Sequence, residues 1–95
     1  MGVDGAQSDR VWQIETNLDN ATGEQIADLF ERLFEAGALD VFAMPVIMKK
    51  SRPGWVLTAL AAPDRVDEIE RCILTESPTF GVRRWMAERR KLARS

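Results

Sequence analysis

The sequence predicts an α+β fold, and three observations carry that expectation. Two amphipathic helical stretches bracket two apolar runs that are joined by a tight basic turn. A strictly alternating segment precedes the first helical stretch, and a segment of mixed strand character follows the second. The order is therefore β-α-β-β-α-β, and right-handed crossovers close it into a ferredoxin-like sandwich of four antiparallel strands with both helices on one face. Ninety-five residues are enough for one such domain around a single core.

Each element has its own warrant. From Val11 to Leu18, Trp12, Ile14, Thr16 and Leu18 share one face, while Gln13, Glu15 and Asn17 share the other. This is the pattern of a strand with one buried side, and it leaves the polar set on the sheet face away from the helices. Thr22-Gly23-Glu24-Gln25 forms a capping box, with Thr22 at the N-cap. Ile26, Leu29, Phe30, Leu33 and Phe34 then recur at helical spacing until Gly37 ends the run. Val41–Met48 and Trp55–Ala62 read as strands two and three of a hairpin. Pro45 assigns strand two to an edge or a bulge, and Pro53-Gly54 supplies turn chemistry. Asp64 is the N-cap candidate for a second helix marked by Val66, Ile69, Cys72 and Ile73 and closed by Ser77-Pro78. After a Thr79-Phe80-Gly81 turn, Val82–Glu88 makes strand four. Residues 1–10 read as a polar lead, 11–92 as the single domain, and 93–95 as the end of a basic tail.

Composition excludes several function classes. The single cysteine, Cys72, excludes an internal disulfide or a thiolate metal cage and reads as a small buried hydrophobe. The absence of histidine removes the commonest transition-metal ligand and the usual general base. Any ion here is expected to be a hard cation held by carboxylates and phosphate oxygens. No run approaches the roughly 20 apolar residues of a membrane span, and Met1–Asp9 lacks signal-peptide character. Cytoplasmic is the default expectation. Net charge is −2 but unevenly spread: −7 over residues 1–40, balanced over 41–82, and +5 over 83–95. The basic end raises a nucleic-acid reading, which the acidic total and the lack of an aromatic RNA-binding strand motif oppose.

Lys49-Lys50-Ser51-Arg52-Pro53-Gly54 places three cations at a hairpin tip, a suitable anion site. Glu15, Asn17 and Asp19 lie at the exit of strand one, just before the capped helix. Carboxylates near a cationic turn resemble a divalent-metal and triphosphate arrangement. An acidic surface strand and a solvated hairpin tip explain the same residues, so spacing alone leaves both readings open. Arg83 and Arg84 project to opposite faces of strand four, so one of them reaches the open face as a phosphate contact or as an ion-pair partner of Glu15 or Glu88. Trp12, Trp55 and Trp85 read as core or subunit-contact residues, and an open sheet face with apolar patches invites a second copy of the chain.

Five segments are distinctive together: Glu15-Thr16-Asn17-Leu18-Asp19, Thr22-Gly23-Glu24, Glu35-Ala36-Gly37-Ala38-Leu39-Asp40-Val41, Met48-Lys49-Lys50-Ser51-Arg52-Pro53-Gly54 and Gly81-Val82-Arg83-Arg84. In this order they resemble the C-terminal domain of the LarC family, over roughly Val11 to Leu92. These proteins insert nickel into the pyridinium-based nickel-pincer cofactor of lactate racemase. The resemblance implies a site for CTP with Mn²⁺ or Mg²⁺. It implies CTP hydrolysis coupled to nickel insertion into pyridinium-3,5-bisthiocarboxylic acid mononucleotide, a nickel chelatase-type lyase reaction. Carried onto this chain by charge and position, Glu15 and Asp19 become metal-side carboxylates. Lys49, Lys50 and Arg52 become phosphate contacts, joined by Arg83 or Arg84, and no catalytic residue is assigned. Partners implied are a nucleoside triphosphate, further copies of the chain and the family's N-terminal nickel-binding domain, with neither nucleic acid nor membrane. The chain departs from the family where a second Asp and a Met often stand, with Asn20 and Ala21 in their place. It also lacks the family's histidine-containing N-terminal part. The expectation is therefore a fragment or one half of a split system, incomplete as an insertase and not itself the holder of nickel. The alternative reading is a non-enzymatic module for small-ligand sensing or oligomerisation.

Overall fold

The computed structural model describes residues 6–79 and 81–92. Met1–Gly5 of the expected lead, Phe80 of the expected turn, and residues 93–95 of the tail, Arg94 included, lie outside them. The elements run β1 (Ala6–Asp19), α1 (Gly23–Glu35), β2 (Asp40–Ile47), β3 (Pro53–Ala61), α2 (Val66–Glu76) and β4 (Arg83–Leu92). One antiparallel sheet has the order β2-β3-β1-β4, as a ferredoxin-like sandwich requires. Pro45 accordingly lies on an edge strand, where its missing N–H costs no ladder bond.

The alternation in β1 sets the two faces. Ile14, Thr16 and Leu18 face the helices opposite Ala59, Leu57 and Trp55 of β3. With Leu29, Leu33, Ile69 and Ile73 from the helices they form the core, most of it below 4% exposure. Thr16 is buried among them without strain, because its hydroxyl donates to the Gly81 carbonyl at 2.9 Å and lies 2.7 Å from Thr79 Oγ1. That bond ties the segment before β4 to the centre of the sheet. The capping box holds as expected: the Gln25 N–H donates to Thr22 Oγ1 at 3.1 Å and the Thr22 N–H to Gln25 Oε1 at 2.8 Å. At the other end of α1, Gly37 (φ 106°) forms a Schellman motif, its N–H donating to Phe34 O and that of Ala38 to Leu33 O.

Several sequence expectations need correction. β1 and β4 are longer than alternation suggested, because Ala6–Arg10 of the supposed lead pairs with Glu88–Leu92. Opposite charges hold this extension: Arg89 donates twice to the Asp9 carboxylate, at 3.1 and 2.9 Å, and Lys91 lies 3.4 Å from it. Asp64 does not cap α2; Arg65 stands at that position without a side-chain cap. Phe34, assigned to the apolar face of α1, is 48% exposed, since the buried stripe is Ile26, Leu29 and Leu33. Pro53-Gly54 is not the turn either. The reversal is Met48–Arg52, closed by the Met48 N–H donating to Arg52 O at 2.7 Å, with Lys50 and Ser51 both at φ 60°. Pro53 and Gly54 open β3.

Candidate functional site

The face away from the helices carries Glu15, Asn17 and Asp19, as the alternation of β1 requires. Asn17 lies opposite Val56 and Asp19 opposite Gly54, next to the β2–β3 turn. Because Gly54 has no side chain, Met48 folds in over it, where a Cβ would run into the Met48 thioether and stand 2.9 Å from the Leu18 carbonyl oxygen. The result is a hollow of about 400 Å³ on the open face beneath the turn. Val46, Met48 and Val56 wall it, Asn17 lines it, and Lys49 and Arg52 are its cations.

Arg52 also fixes the nearest acid. Its guanidinium Nη2 stands 2.6 Å from Asp19 Oδ2, joining turn to strand exit. The other oxygen, Asp19 Oδ1, is buried and has no hydrogen-bond partner. A buried carboxylate oxygen left unsatisfied is costly unless something supplies positive charge. A lone carboxylate oxygen of this kind has the chemistry of one ligand to a hard divalent ion.

The remaining candidates are dispersed. Glu15 lies four residues from Asp19, roughly 13 Å along the strand, and is half-enclosed by its own partners. Arg83 Nη2 stands 3.0 Å away, and Thr58 Oγ1 and Gln13 Nε2 donate at 3.4 and 3.5 Å. The two acids expected on one metal therefore do not meet in this structure. Among the described residues no three of Asp, Glu, Cys or His gather closely enough to hold an ion. Arg83 reaches the open face, as one of the two arginines had to, but it is paired with Glu15. Arg84 faces the helices. It stacks over Trp12 at 5.1 Å, and its Nη1 donates to Asp67 at 2.9 Å and lies 3.4 Å from Glu70, the Asp67 bond raising its pKa further. The fold places it away from the hairpin hollow. Lys50, turned into the left-handed conformation, does not line the hollow.

Asn17 is the residue that charge-based reasoning passed over. Alternation already placed it on the open face between two acids; an uncharged amide gave no reason to select it. A second hollow of about 450 Å³ lies on the helix-side face of the same hairpin, lined by Ala21, Pro45, Pro53 and Trp55 among others. It has no charged lining residue. Trp55 is anchored beside it, its indole N–H donating to Ala21 O at 3.0 Å. Cys72 is half-buried against the core, and burial pushes its thiol pKa up, consistent with a packing role.

With this geometry in hand, likeness to known proteins is decisive. The sequence model of the family described as nickel insertion protein matches residues 2–95. The chain belongs to that family. The pyridinium-3,5-bisthiocarboxylic acid mononucleotide nickel insertion protein of Acetivibrio thermocellus is 44% identical over 86 residues, 90% of this chain and 21% of that protein. The protein of the same name from Alkaliphilus metalliredigens is 38% identical over 92 residues, 97% of this chain and 22% of that protein. The chain thus spans about a fifth of the length of these curated nickel insertion proteins. Among solved structures it resembles LarC2 in its apo form, described as the C-terminal domain of a cyclometallase involved in synthesis of the NPN cofactor of lactate racemase. The TM-score is 0.84 at 42% identity, over 87% of this chain and 58% of that one. The five-segment resemblance therefore holds: this is a LarC-family C-terminal domain of the nickel insertion family. CutA from Synechococcus elongatus, at TM-score 0.68 and 8% identity, shares the fold alone.

Proposed function

We propose that this chain is the nucleotide-binding C-terminal domain of a CTP-dependent nickel insertase that metallates pyridinium-3,5-bisthiocarboxylic acid mononucleotide in the cytoplasm. Nickel is cargo in this reading. It is handled with the histidine-containing N-terminal domain typical of the family, since this chain offers neither histidine nor a second cysteine. One observation carries the reading: Lys49 and Arg52 line one hollow, and Arg52 also holds Asp19, whose other oxygen is buried without a partner. Cations bind the triphosphate, and Asp19 would hold the Mg²⁺ or Mn²⁺ that accompanies it. Such an ion neutralises phosphate charge, and one protein carboxylate beside phosphate oxygens and water is an ordinary set for it. Glu15 falls outside that set, and of Arg83 and Arg84 only Arg83 shares the face.

Calorimetry with CTP and Mn²⁺ tests the proposal. Wild-type protein binds, and Lys49→Ala/Arg52→Ala weakens binding at least tenfold and flattens its salt dependence, because two charge-assisted phosphate contacts are gone. Wild-type protein that takes up no nucleotide overturns the reading.

A second reading, a small-ligand or oligomerisation module, is favoured by the exposure of Phe42, Met44 and Trp85, at 43, 55 and 41%, on the open face. Apolar side chains on an otherwise uncovered sheet support association with further copies of the chain. Association is compatible with either reading. An oligomer indifferent to nucleotide would favour the module.

A further inference from the structure

We infer that the edge strand β2 docks the part of a nickel insertion protein that lies outside this domain, and that it receives the apolar face of a helix rather than an added strand. The two edges of the sheet are built oppositely. β4 carries Arg83, Arg84, Glu88, Arg89, Arg90 and Lys91, the usual protection of an open edge. β2 carries a single charge, Asp40, in Asp40–Ile47. Phe42 and Met44 are exposed on its open face, Pro45 and Ile47 beside the helix-side hollow, and Ile47 is 75% exposed. A strand apolar on both sides is the pattern of one covered on both sides, yet among the described residues nothing covers this one.

The backbone of β2 decides the form of the partner. N–H groups two residues apart point the same way, so those of Val41, Ala43 and Ile47 share the outer edge with the position of Pro45. Pro45 has no N–H, and that of Val41 donates to Asp40 Oδ1 at 2.9 Å. An added strand would therefore find no donor at either position. A second copy presenting the same edge would have to pair strand to strand and meets the same obstacle. Packing of side chains remains, and the apolar stripe of a helix supplies it without ladder bonds. The family supplies the occupant. The matched residues make up 21% of the Acetivibrio thermocellus protein, so about four-fifths of its length lies outside this fold. Glu31, Arg32, Glu35, Glu68 and Arg71 keep the outer faces of both helices charged. Apart from the open sheet face, β2 is the surface of this domain that an apolar partner fits.

Hydroxyl-radical footprinting with mass spectrometry tests the inference, on this chain and on the full-length Acetivibrio thermocellus protein, each at two concentrations. The expected result is that the peptide aligned with β2 is labelled about fivefold less in the full-length protein than in this chain, because an interface core excludes water. The peptide aligned with β4 should be labelled alike in both. Equal labelling of the β2 peptide in the two proteins overturns the inference. Shielding that fades on dilution of either protein also overturns it, because a second copy would then be the occupant. Equal shielding of the β2 and β4 peptides in the full-length protein overturns it as well, since the cover would not be specific to β2.

Discussion

Replacing Gly54 by Ala puts one methyl group where the hairpin has no room. The new Cβ would stand 2.9 Å from the Leu18 carbonyl oxygen, against 3.4 Å or more for ordinary contact, and would also displace the Met48 thioether. Met48 is a flexible side chain and can swing aside. The carbonyl belongs to the β1–β3 ladder, with Asp19 paired to Gly54 and Leu18 to Trp55, and must give by roughly half an ångström. Overpacking of this kind costs about 1–3 kcal/mol. Removing a glycine from a strand returns about 0.5–1 kcal/mol by restricting the unfolded chain, so the net loss is about 0.5–2 kcal/mol, centred near 1 kcal/mol. Urea denaturation of wild type, Gly54→Ala, Met48→Ala and the double variant measures it. Met48→Ala should relieve part of the Gly54→Ala penalty, leaving a coupling term between the two sites. Gly54→Ala within about 0.5 kcal/mol of wild type would refute the close approach.

Two further outcomes follow from local chemistry. Thr22→Ala removes the capping box of α1 and should cost about 1 kcal/mol, a fall of about 4–8 °C in Tm by calorimetric scanning. The Arg89 hydrogen bond, with Lys91, holds Asp9 down from 3.8 to about 2. Its folded-state pKa lies below the unfolded one, so its stabilisation is complete above about pH 4 and is lost as pH falls toward 2. Carboxyl-carbon NMR titration should place its midpoint near 2, and Arg89→Ala should return it toward the ordinary carboxylate value; an unchanged midpoint would refute the pairing.

Much of this fold was readable because one face of each element is greasy and the other is not. Ile14, Thr16 and Leu18 announced a half-buried strand; Thr22 with Gln25 and Gly37 bounded α1; Pro45 chose an edge. The misreadings share a cause, which is pairing between residues distant in sequence. Asp9 becomes part of a strand only because Arg89 lies across from it, and the local sequence around either residue is simply polar. Gly54 resembles a turn residue locally, yet its lack of a side chain is used by Met48 in the adjoining turn. At the site, charge pointed to the cations of the turn, but not to which were usable. Lys49 and Arg52 border the hollow, Lys50 does not, and Arg84 is drawn to Asp67 on α2. Those distinctions depend on backbone conformation and on the opposite faces of β4.

The pairing of Arg52 with Asp19 gives the proposed site a further property. Arg52 and Asp19 Oδ2 already offset each other's charge, so a lone ligand gains little by displacing either. A divalent ion that drew Asp19 away would leave Arg52 without its acid. A triphosphate that drew Arg52 away would leave Asp19 facing phosphate, a repulsive contact. When both arrive, acid turns to metal and guanidinium to phosphate, and the buried Asp19 Oδ1 gains the positive charge it lacks. Each ligand thereby lowers the cost of binding the other, and reciprocity is required by linkage. On the proposed reading, the ion pair is what makes metal and nucleotide bind as a unit rather than singly.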